Sequence, residues 1–443
     1  MMPQSRQTFL SAVFWNAVLM AVALPAAIAA SIVVGRVLGP AGKGEFTLAT
    51  LIGALLLTVL NLGIPAAISY FISGGHVPEA SFVKTVVVLG AALAAIGFVL
   101  TLSLDRAGCA SRLLGTPHLT AAMWLVFIGL PFQFWGTFLQ FVILAQGRRV
   151  LFAALPALGQ LFVTVLIGIL ALLGRLTPVS AVAVTVASQI LTGSTLLVFS
   201  QLHLDWLRAP LLSPRFWSSA AKYSLTSYGA NTLQFLIQRA DVFLVSIFLG
   251  VRAVGLYSVA YGVAELLTLL PQRLNNLYVP RIAGERTPDA KRQEVPLSSS
   301  LVFVSTAAAA VVLALTAPFC IRFFYGEQFA PSVTPLLLLL PGICALAASS
   351  IQTAYLSGVG RVGTNAAAAG AGLALNLLLN LVSIPRYGIS GAAAASSAAY
   401  CAQALLLVQA VARLTNQRPL AMLTSAPPAV FAGYVKRAFR GAP

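Results

Sequence analysis

Charged side chains are rare in this sequence, yet several of them fall inside long apolar segments. Arg239 and Asp241 lie near the middle of one apolar run, and Glu265 lies in the next. Because residues two apart on a helix point roughly 160° away from each other, Arg239 and Asp241 cannot form a local ion pair. Each must meet water, a partner on another helix or a ligand. The guanidinium can therefore pair with Glu265 or bind an anion such as a phosphate, and a carboxylate can bind a proton or a cation.

Neutral polar residues accompany these charges at helical spacing. One stripe, with steps of three or four residues, consists of Ser224, Ser227, Asn231, Gln234, Gln238 and Asp241. The following segment carries its polar residues on one face as well, namely Tyr257, Tyr261, Glu265, Thr268, Gln272 and Asn275, with Arg273 beside them. A third arc contains Asn365, Asn376, Asn380 and Ser383, and a thinner pair in the first half is Gln133 and Gln140. Such amides and hydroxyls suit either a hydrated cavity that binds sugar hydroxyls or ordinary hydrogen bonds between helices.

The elements that must position these residues are transmembrane helices. The chain has 443 residues, of which 59% are hydrophobic and 8% charged, with a mean hydropathy of +0.92. So little charge cannot cover a soluble protein of this length. The apolar runs are long enough to cross a bilayer as helices, and they lack the period-two alternation of a β-barrel. The sequence predicts an all-α, polytopic membrane protein.

Charged clusters, prolines and glycines divide the chain into twelve predicted spans. These are 11–35, 46–73, 83–104, 119–145, 151–174, 179–203, 222–249, 256–280, 297–320, 335–357, 364–384 and 389–413. The first run also resembles a cleaved signal peptide, with Arg6 before it and PAAIAAS as a cleavage site, but its length favours a spanning helix.

The distribution of Lys and Arg orients these spans. With a cytoplasmic N-terminus, 17 of the 27 basic residues lie on the cytoplasmic side and eight on the other. The positive-inside rule therefore predicts that both termini are cytoplasmic. The net charge of +17 is spread between spans and not gathered on a soluble domain, which argues against nucleic-acid binding. No spacing of Cys, His, Asp or Glu indicates a metal site, a catalytic constellation or a cofactor, so we do not expect an enzyme.

A repeat relates the two halves. LGPAGKGEF begins at Leu38 and LGVRAVGLY at Leu249, an offset of 211 that also relates Gly147 to Gly358. Because each repeat contains six spans, an even number, we expect two parallel six-helix lobes with a substrate path between them. The predicted division is an N-terminal lobe (1–205), a cytoplasmic connection (206–221), a C-terminal lobe (222–413) and a basic cytoplasmic tail (414–443).

These features together resemble the polysaccharide-transport family, the oligosaccharide flippases of the multidrug/oligosaccharidyl-lipid/polysaccharide exporter superfamily. Its first connection reads roughly LGPxxxGxF, and its seventh and eighth spans carry an Asp, a Gly and the pattern VGxYxxA. The matching residues here are Leu38, Gly39, Pro40, Gly44, Phe46, Asp241, Gly250, Val254, Gly255, Tyr257, Ala260 and Pro280. Each motif is moderately specific, whereas their order and spacing from about Ser11 to Arg413 are distinctive.

The resemblance implies a flippase of the bacterial inner membrane. Such a protein moves a polyprenyl-diphosphate-linked oligosaccharide from the cytoplasmic to the periplasmic leaflet by alternating access, alongside a polysaccharide polymerase and glycosyltransferases. In its cavity, Arg239 and Arg273 would contact the diphosphate or acidic sugars. Contacts to sugar hydroxyls are expected from Asn231, Gln234, Gln238, Tyr261 and Gln272. Asp241 and Glu265 are candidates for proton or Na⁺ coupling.

Two alternatives stay open. The multidrug and toxin extrusion branch exports cationic drugs on the same architecture, commonly with acidic residues in the first span, where this chain has none. A scaffold of a polysaccharide synthase complex would retain the fold without transport and would tolerate replacement of every cavity residue.

Overall fold

All regular structure in the described part of the chain is helical. The computed structural model describes residues 4–65, 68, 78–106, 108, 121–201, 206–212, 214–269, 271, 288–419 and 422. The α-helices are α1 (Gln4–Leu60), α2 (Glu79–Arg106), α3 (Ala121–Ala145), α4 (Arg149–Leu172), α5 (Pro178–Gln201), α6 (Pro214–Leu249), α7 (Val251–Glu265), α8 (Pro288–Tyr325), α9 (Val333–Gly358) and α10 (Val362–Thr415). Short 3₁₀ turns cover Leu266–Thr268 and Glu327–Ser332.

Nine helical stretches within these described ranges are long and apolar enough to cross a membrane. Two of them each contain two predicted spans: Ala21–Leu60 contains parts of 11–35 and 46–73, and Val362–Thr415 contains 364–384 and 389–413. The predicted eighth span, 256–280, is described only to residue 269 and at residue 271. Large apolar side chains are exposed on these helices, for example Leu315 at 79%, as expected where lipid and not water surrounds the protein.

Glycines break both of the longest helices. Gly39 has φ 68° and Gly388 has φ 60°, values that an L residue rarely adopts and that cannot continue a right-handed helix. Pro40 follows Gly39 and lacks the N–H that an uninterrupted helix would use. Each break therefore separates two helical segments, as the sequence predicted from the same glycine and proline signals.

The chain divides into two compact units. The first comprises residues 1–228 and 249–255, and the second comprises residues 229–248 and 256–443. In the first unit α1, α4 and α5 share an apolar core that includes Val34, Ile167 and Ala181. In the second unit α8, α9 and α10 do the same around residues such as Ile351 and Leu407. Each unit thus buries its own apolar side chains.

The two repeat motifs meet inside the first unit. A Cβ atom on Gly44 would overlap the carbonyl oxygen of Val251, and one on Gly255 would overlap that of Pro40. Since Pro40 and Val251, like Gly44 and Gly255, are 211 positions apart, repeat-related residues contact each other reciprocally. Only glycine allows such an approach. Farther along the chain the offset is no longer 211. The glycine with positive φ that corresponds to Gly147 is Gly360, two positions after the predicted Gly358.

Candidate functional site

The charged pair Arg239–Glu265 joins α6 to α7 in the second unit. One guanidinium nitrogen of Arg239, Nη2, donates to both carboxylate oxygens of Glu265, at 2.8 and 3.0 Å. The guanidinium carbon also lies 4.6 Å from the centre of the Tyr261 ring, within the range of a cation–π contact. The two charged side chains are 29% and 35% exposed. The sequence left two possible partners for Arg239, Glu265 and an anionic ligand, and in the structure Arg239 pairs with Glu265.

The local sequence explains why Glu265 lies at the end of its helix. A proline at position 271 has no N–H to donate to residue 267, and its ring crowds the preceding turn, which weakens the regular helical hydrogen bonding there. The chain tightens into the 3₁₀ turn Leu266–Thr268, and residues 269 and 271 are helical again. The hydroxyl of Thr268 donates to the carbonyl oxygen of Glu265 at 2.8 Å, which satisfies an acceptor freed by the break.

A cavity of about 280 Å³ lies beside this pair, enclosed by four elements of the second unit. Its polar lining comes from α6 (Gln234 and Gln238), from α7 and the 3₁₀ turn (Tyr261, Glu265 and Thr268), from α9 (Ser349, Ser350 and Thr353) and from α10 (Gln403). Apolar residues of α9 and Pro271 complete the wall. The cavity therefore combines neutral amides and hydroxyls with one carboxylate, whose charge Arg239 offsets.

Most hydroxyl hydrogens at this cavity are already used. Ser349, Ser350 and Thr353 each donate to a backbone carbonyl of α9, at 3.0, 2.6 and 3.1 Å. Gln403 donates through Nε2 to Oε1 of Gln234 at 2.6 Å, and its own buried Oε1 has no hydrogen-bond partner among the described residues. The three hydroxyls consequently offer lone pairs more than hydrogens, so this side of the lining favours a ligand that donates hydrogen bonds.

Asp241 lies in a separate, fully buried network of the second unit. Its Oδ2 accepts hydrogen bonds from the Tyr257 hydroxyl at 2.5 Å and from the Ser396 hydroxyl at 2.7 Å. Its Oδ1 accepts one from the backbone N–H of Val242 at 2.8 Å. All three of these donors are neutral, so they stabilise the carboxylate without cancelling its charge.

Two asparagines of α10 extend this network. Asn376 donates through Nδ2 to Ser396 Oγ at 3.1 Å, and Asn380 donates through Nδ2 to Oδ1 of Asn376 at 2.9 Å. Both asparagines are completely buried. Oδ1 of Asn380 has no hydrogen-bond partner in the described part of the chain, which leaves an acceptor oxygen near the end of the network.

The predicted binding residues occupy different environments in the structure. Gln234, Gln238, Tyr261 and Glu265 line the cavity, whereas Arg239 lies behind Glu265 and is not part of the lining. Asn231 is exposed and lies outside the cavity. The predicted ligands Gln272 and Arg273 fall outside the described residues. The polar stripe of α6 therefore faces two different environments: Gln234 and Gln238 line the cavity, and Asp241 belongs to the buried network.

Several polar residues at these places escaped the sequence prediction. They are Ser349, Ser350, Thr353, Ser396 and Gln403. The signal for the first three was present, because residues at i, i+1 and i+4 share one side of a helix. Serines and glutamines in Ala-rich segments, however, commonly make ordinary interhelical hydrogen bonds, so their types alone did not mark a site.

Comparisons with known proteins agree with this architecture. The fold matches lipid II flippase MurJ in an inward closed conformation, with a TM-score of 0.73 and 13% identity over 92% of this chain and 89% of that one. It also matches an inward-facing multidrug resistance transporter of the multidrug and toxin extrusion family within the same exporter superfamily. There the TM-score is 0.69, with 15% identity over 93% of this chain and all of that one. A mutant of the Vibrio cholerae transporter VcmN matches with a TM-score of 0.60 and 16% identity, over 93% of this chain and all of that one.

At these identities the structural matches establish the fold, an exporter-superfamily fold, and no more. No curated protein sequence matches the chain significantly. Residues 33–334 match a sequence family described as polysaccharide biosynthesis protein. This match covers more than half of the chain, including the repeat motifs, Arg239, Asp241 and Glu265. The chain belongs to the polysaccharide biosynthesis protein family.

Proposed function

We propose that this protein is a flippase of the bacterial inner membrane, with both termini cytoplasmic. Its substrate is a polyprenyl-diphosphate-linked oligosaccharide, which it moves from the cytoplasmic to the periplasmic leaflet by alternating access for polysaccharide biosynthesis. The observation that carries the proposal is the polar cavity of the second unit, in a chain of a polysaccharide biosynthesis family. A polymerase and glycosyltransferases of the same pathway are its expected partners.

The cavity suits part of such a substrate. Its volume of about 280 Å³ is near the lower end of ligand pockets, which measure about 300–1,000 Å³. It can therefore take one sugar ring or a diphosphate, but not a whole glycan. The acceptor-rich lining matches sugar hydroxyls, which donate hydrogen bonds. Gln234, Gln238 and Tyr261 line the cavity and are the residues proposed to contact such hydroxyls.

Arg239 provides a site for the diphosphate. Its side chain is 29% exposed, so an anion can approach it without unfolding the helices. Each phosphate of the substrate's diphosphate carries one negative charge and presents two oxygens that a guanidinium can bind together, so it can replace Glu265 at Arg239. Glu265 would then neutralise Arg239 whenever the substrate is absent.

Asp241 is the proposed coupling residue. A buried carboxylate with neutral donors is stabilised when a proton or a cation neutralises it. The network also offers oxygen donors, which hard cations such as Na⁺ prefer, in the Asp241 carboxylate and the Ser396 hydroxyl. Tyr257 joins this network to α7, the helix that also carries Tyr261 and Glu265. Neutralising Asp241 would thereby alter a contact between α6 and α7.

The test is a flipping assay in proteoliposomes that contain a fluorescent polyprenyl-diphosphate-linked oligosaccharide, with outer-leaflet label measured over time. We expect flipping by the wild type, a loss of tenfold or more in Arg239→Met, and little change in the exposed control Arg252→Met. Asp241→Asn should abolish the response to a proton or Na⁺ gradient, whereas Glu327→Gln, at an exposed ion pair, should keep it.

Other outcomes would favour the alternatives. Transport of cationic dyes without any flipping would identify a drug exporter, for which the structural matches to multidrug transporters provide the reason. If Arg239→Met, Gln234→Met and Asp241→Asn all supported normal glycan export in cells, the protein would be a scaffold.

A further inference from the structure

A second polar cavity, of about 270 Å³, lies in the first unit among α3, α4 and α5. The proposed function does not use it. Half of its polar lining consists of glutamines, namely Gln133, Gln140, Gln160 and Gln189. The rest consists of serine and threonine hydroxyls, and none of the described residues that line this cavity is charged.

Three of these four glutamines lie at the middle of their helices. Gln133 is the central residue of the 25-residue helix Ala121–Ala145. Gln160 and Gln189 occupy the centres of the 24-residue helices Arg149–Leu172 and Pro178–Gln201. All three helices are candidate membrane spans. The middle of a span is where an apolar side chain is most favourable, so three amides converging there need a partner or a ligand.

The hydrogen bonds around the cavity leave it rich in acceptors. The hydroxyls of Thr137, Thr185 and Ser188 each donate their hydrogen to a backbone carbonyl, at 2.9, 3.1 and 3.0 Å. Gln133 Oε1 and Gln189 Oε1 are buried and find no hydrogen-bond partner among the described residues. Because these two oxygens are themselves buried, the cavity offers a ligand the lone pairs of the three hydroxyl oxygens together with the glutamine amides, and O–H groups can bind to both.

We propose that this cavity binds an uncharged, hydroxyl-bearing sugar residue. A diphosphate does not fit, because it brings only acceptors and negative charge, and no lining residue in the described part of the chain is a cation that could neutralise it. A sugar of the lipid-linked glycan and a free saccharide share the chemistry required. The choice of a lipid-linked glycan as the ligand rests on the proposed function. The cavity and its polar lining are observed independently of that function.

The experiment measures equilibrium binding to purified protein in nanodiscs with three probes. These are a prenyl diphosphate carrying a neutral glucose trisaccharide, the same prenyl diphosphate without sugar, and the free trisaccharide. The variants are Gln133→Met, Gln189→Met and their combination, since methionine preserves the volume and removes the amide. Gln146→Met is the matched control, because Gln146 bonds to Glu79 at 3.1 Å and lies outside the cavity.

We expect the wild type to bind the glycosylated probe more tightly than the bare one. Each amide substitution should reduce that difference by roughly three- to tenfold, with the affinity for the bare probe unchanged and the control unaffected. A single variant suffices if the combined one does not fold. An unchanged sugar-dependent gain in both single variants would show that the cavity holds water only, and the inference would be wrong while the flippase function stands.

Failure of both prenyl probes to bind the wild type would instead contradict the proposed function. The free trisaccharide then decides the inference independently. Binding that Gln189→Met weakens and Gln146→Met does not would support it, and the absence of such binding would refute it.

Discussion

The Arg239–Glu265 pair lends itself to a double-mutant cycle in Arg239→Met, Glu265→Gln and the combined variant. Its two hydrogen bonds, at 2.8 and 3.0 Å, involve charged groups, and such bonds contribute about 1.5–3 kcal/mol when buried. The side chains are about one-third exposed, which weakens the interaction toward the 0.2–1 kcal/mol of surface pairs. We therefore expect a coupling free energy of about 1–2 kcal/mol.

The free energy of unfolding is measured for all four proteins by denaturant titration in one detergent, with flipping measured in parallel. Each single variant should lose more than half of the stability that the combined variant loses, because each single substitution leaves one charge unpaired. If the single losses add to the combined loss within about 0.3 kcal/mol, the ion pair does not exist in solution. If Glu265→Gln flips normally while a combined variant as stable as the wild type fails to flip, Arg239 serves the substrate as well as the fold.

The remaining predictions concern stability and are measured in the same unfolding assay. Tyr257→Phe removes a hydroxyl donor from buried Asp241 and should destabilise the protein by about 1–3 kcal/mol; Tyr257→Phe in an Asp241→Asn background should cost clearly less, and equal costs would exclude the contact. Gly255→Ala places a Cβ against the carbonyl oxygen of Pro40 and should cost at least about 1–3 kcal/mol. Gly262→Ala, which has nothing within 4 Å, is the control and should be neutral or slightly stabilising.

Much of the framework could be read from the sequence. Apolar runs of spanning length predicted the membrane helices, because bilayer thickness alone sets that requirement. The 211-residue offset predicted the repeat, and the reciprocal contact of Gly44 and Gly255 gives it a physical reason. The offset failed at Gly358, because the glycine with positive φ lies two positions later, at Gly360.

The site was only partly predictable. Helical periodicity placed Gln234, Gln238 and Asp241 on one stripe of α6, but it could not say that the amides face a cavity while Asp241 enters a buried network. The sequence showed the polar pair Gln133 and Gln140 in the first half. It did not indicate that polar residues of three helices would line one cavity there.

The sequence by itself determined which residues are polar within the membrane helices and which direction each takes on its own helix. The tertiary structure alone decided their partners: Glu265 for Arg239, and Ser396, 155 positions away, for Asp241. Periodicity fixes an angle about one helix axis, whereas a contact also requires the neighbouring helix and its height along the first. Those two quantities come from the packing of side chains between helices, which no single segment of sequence contains.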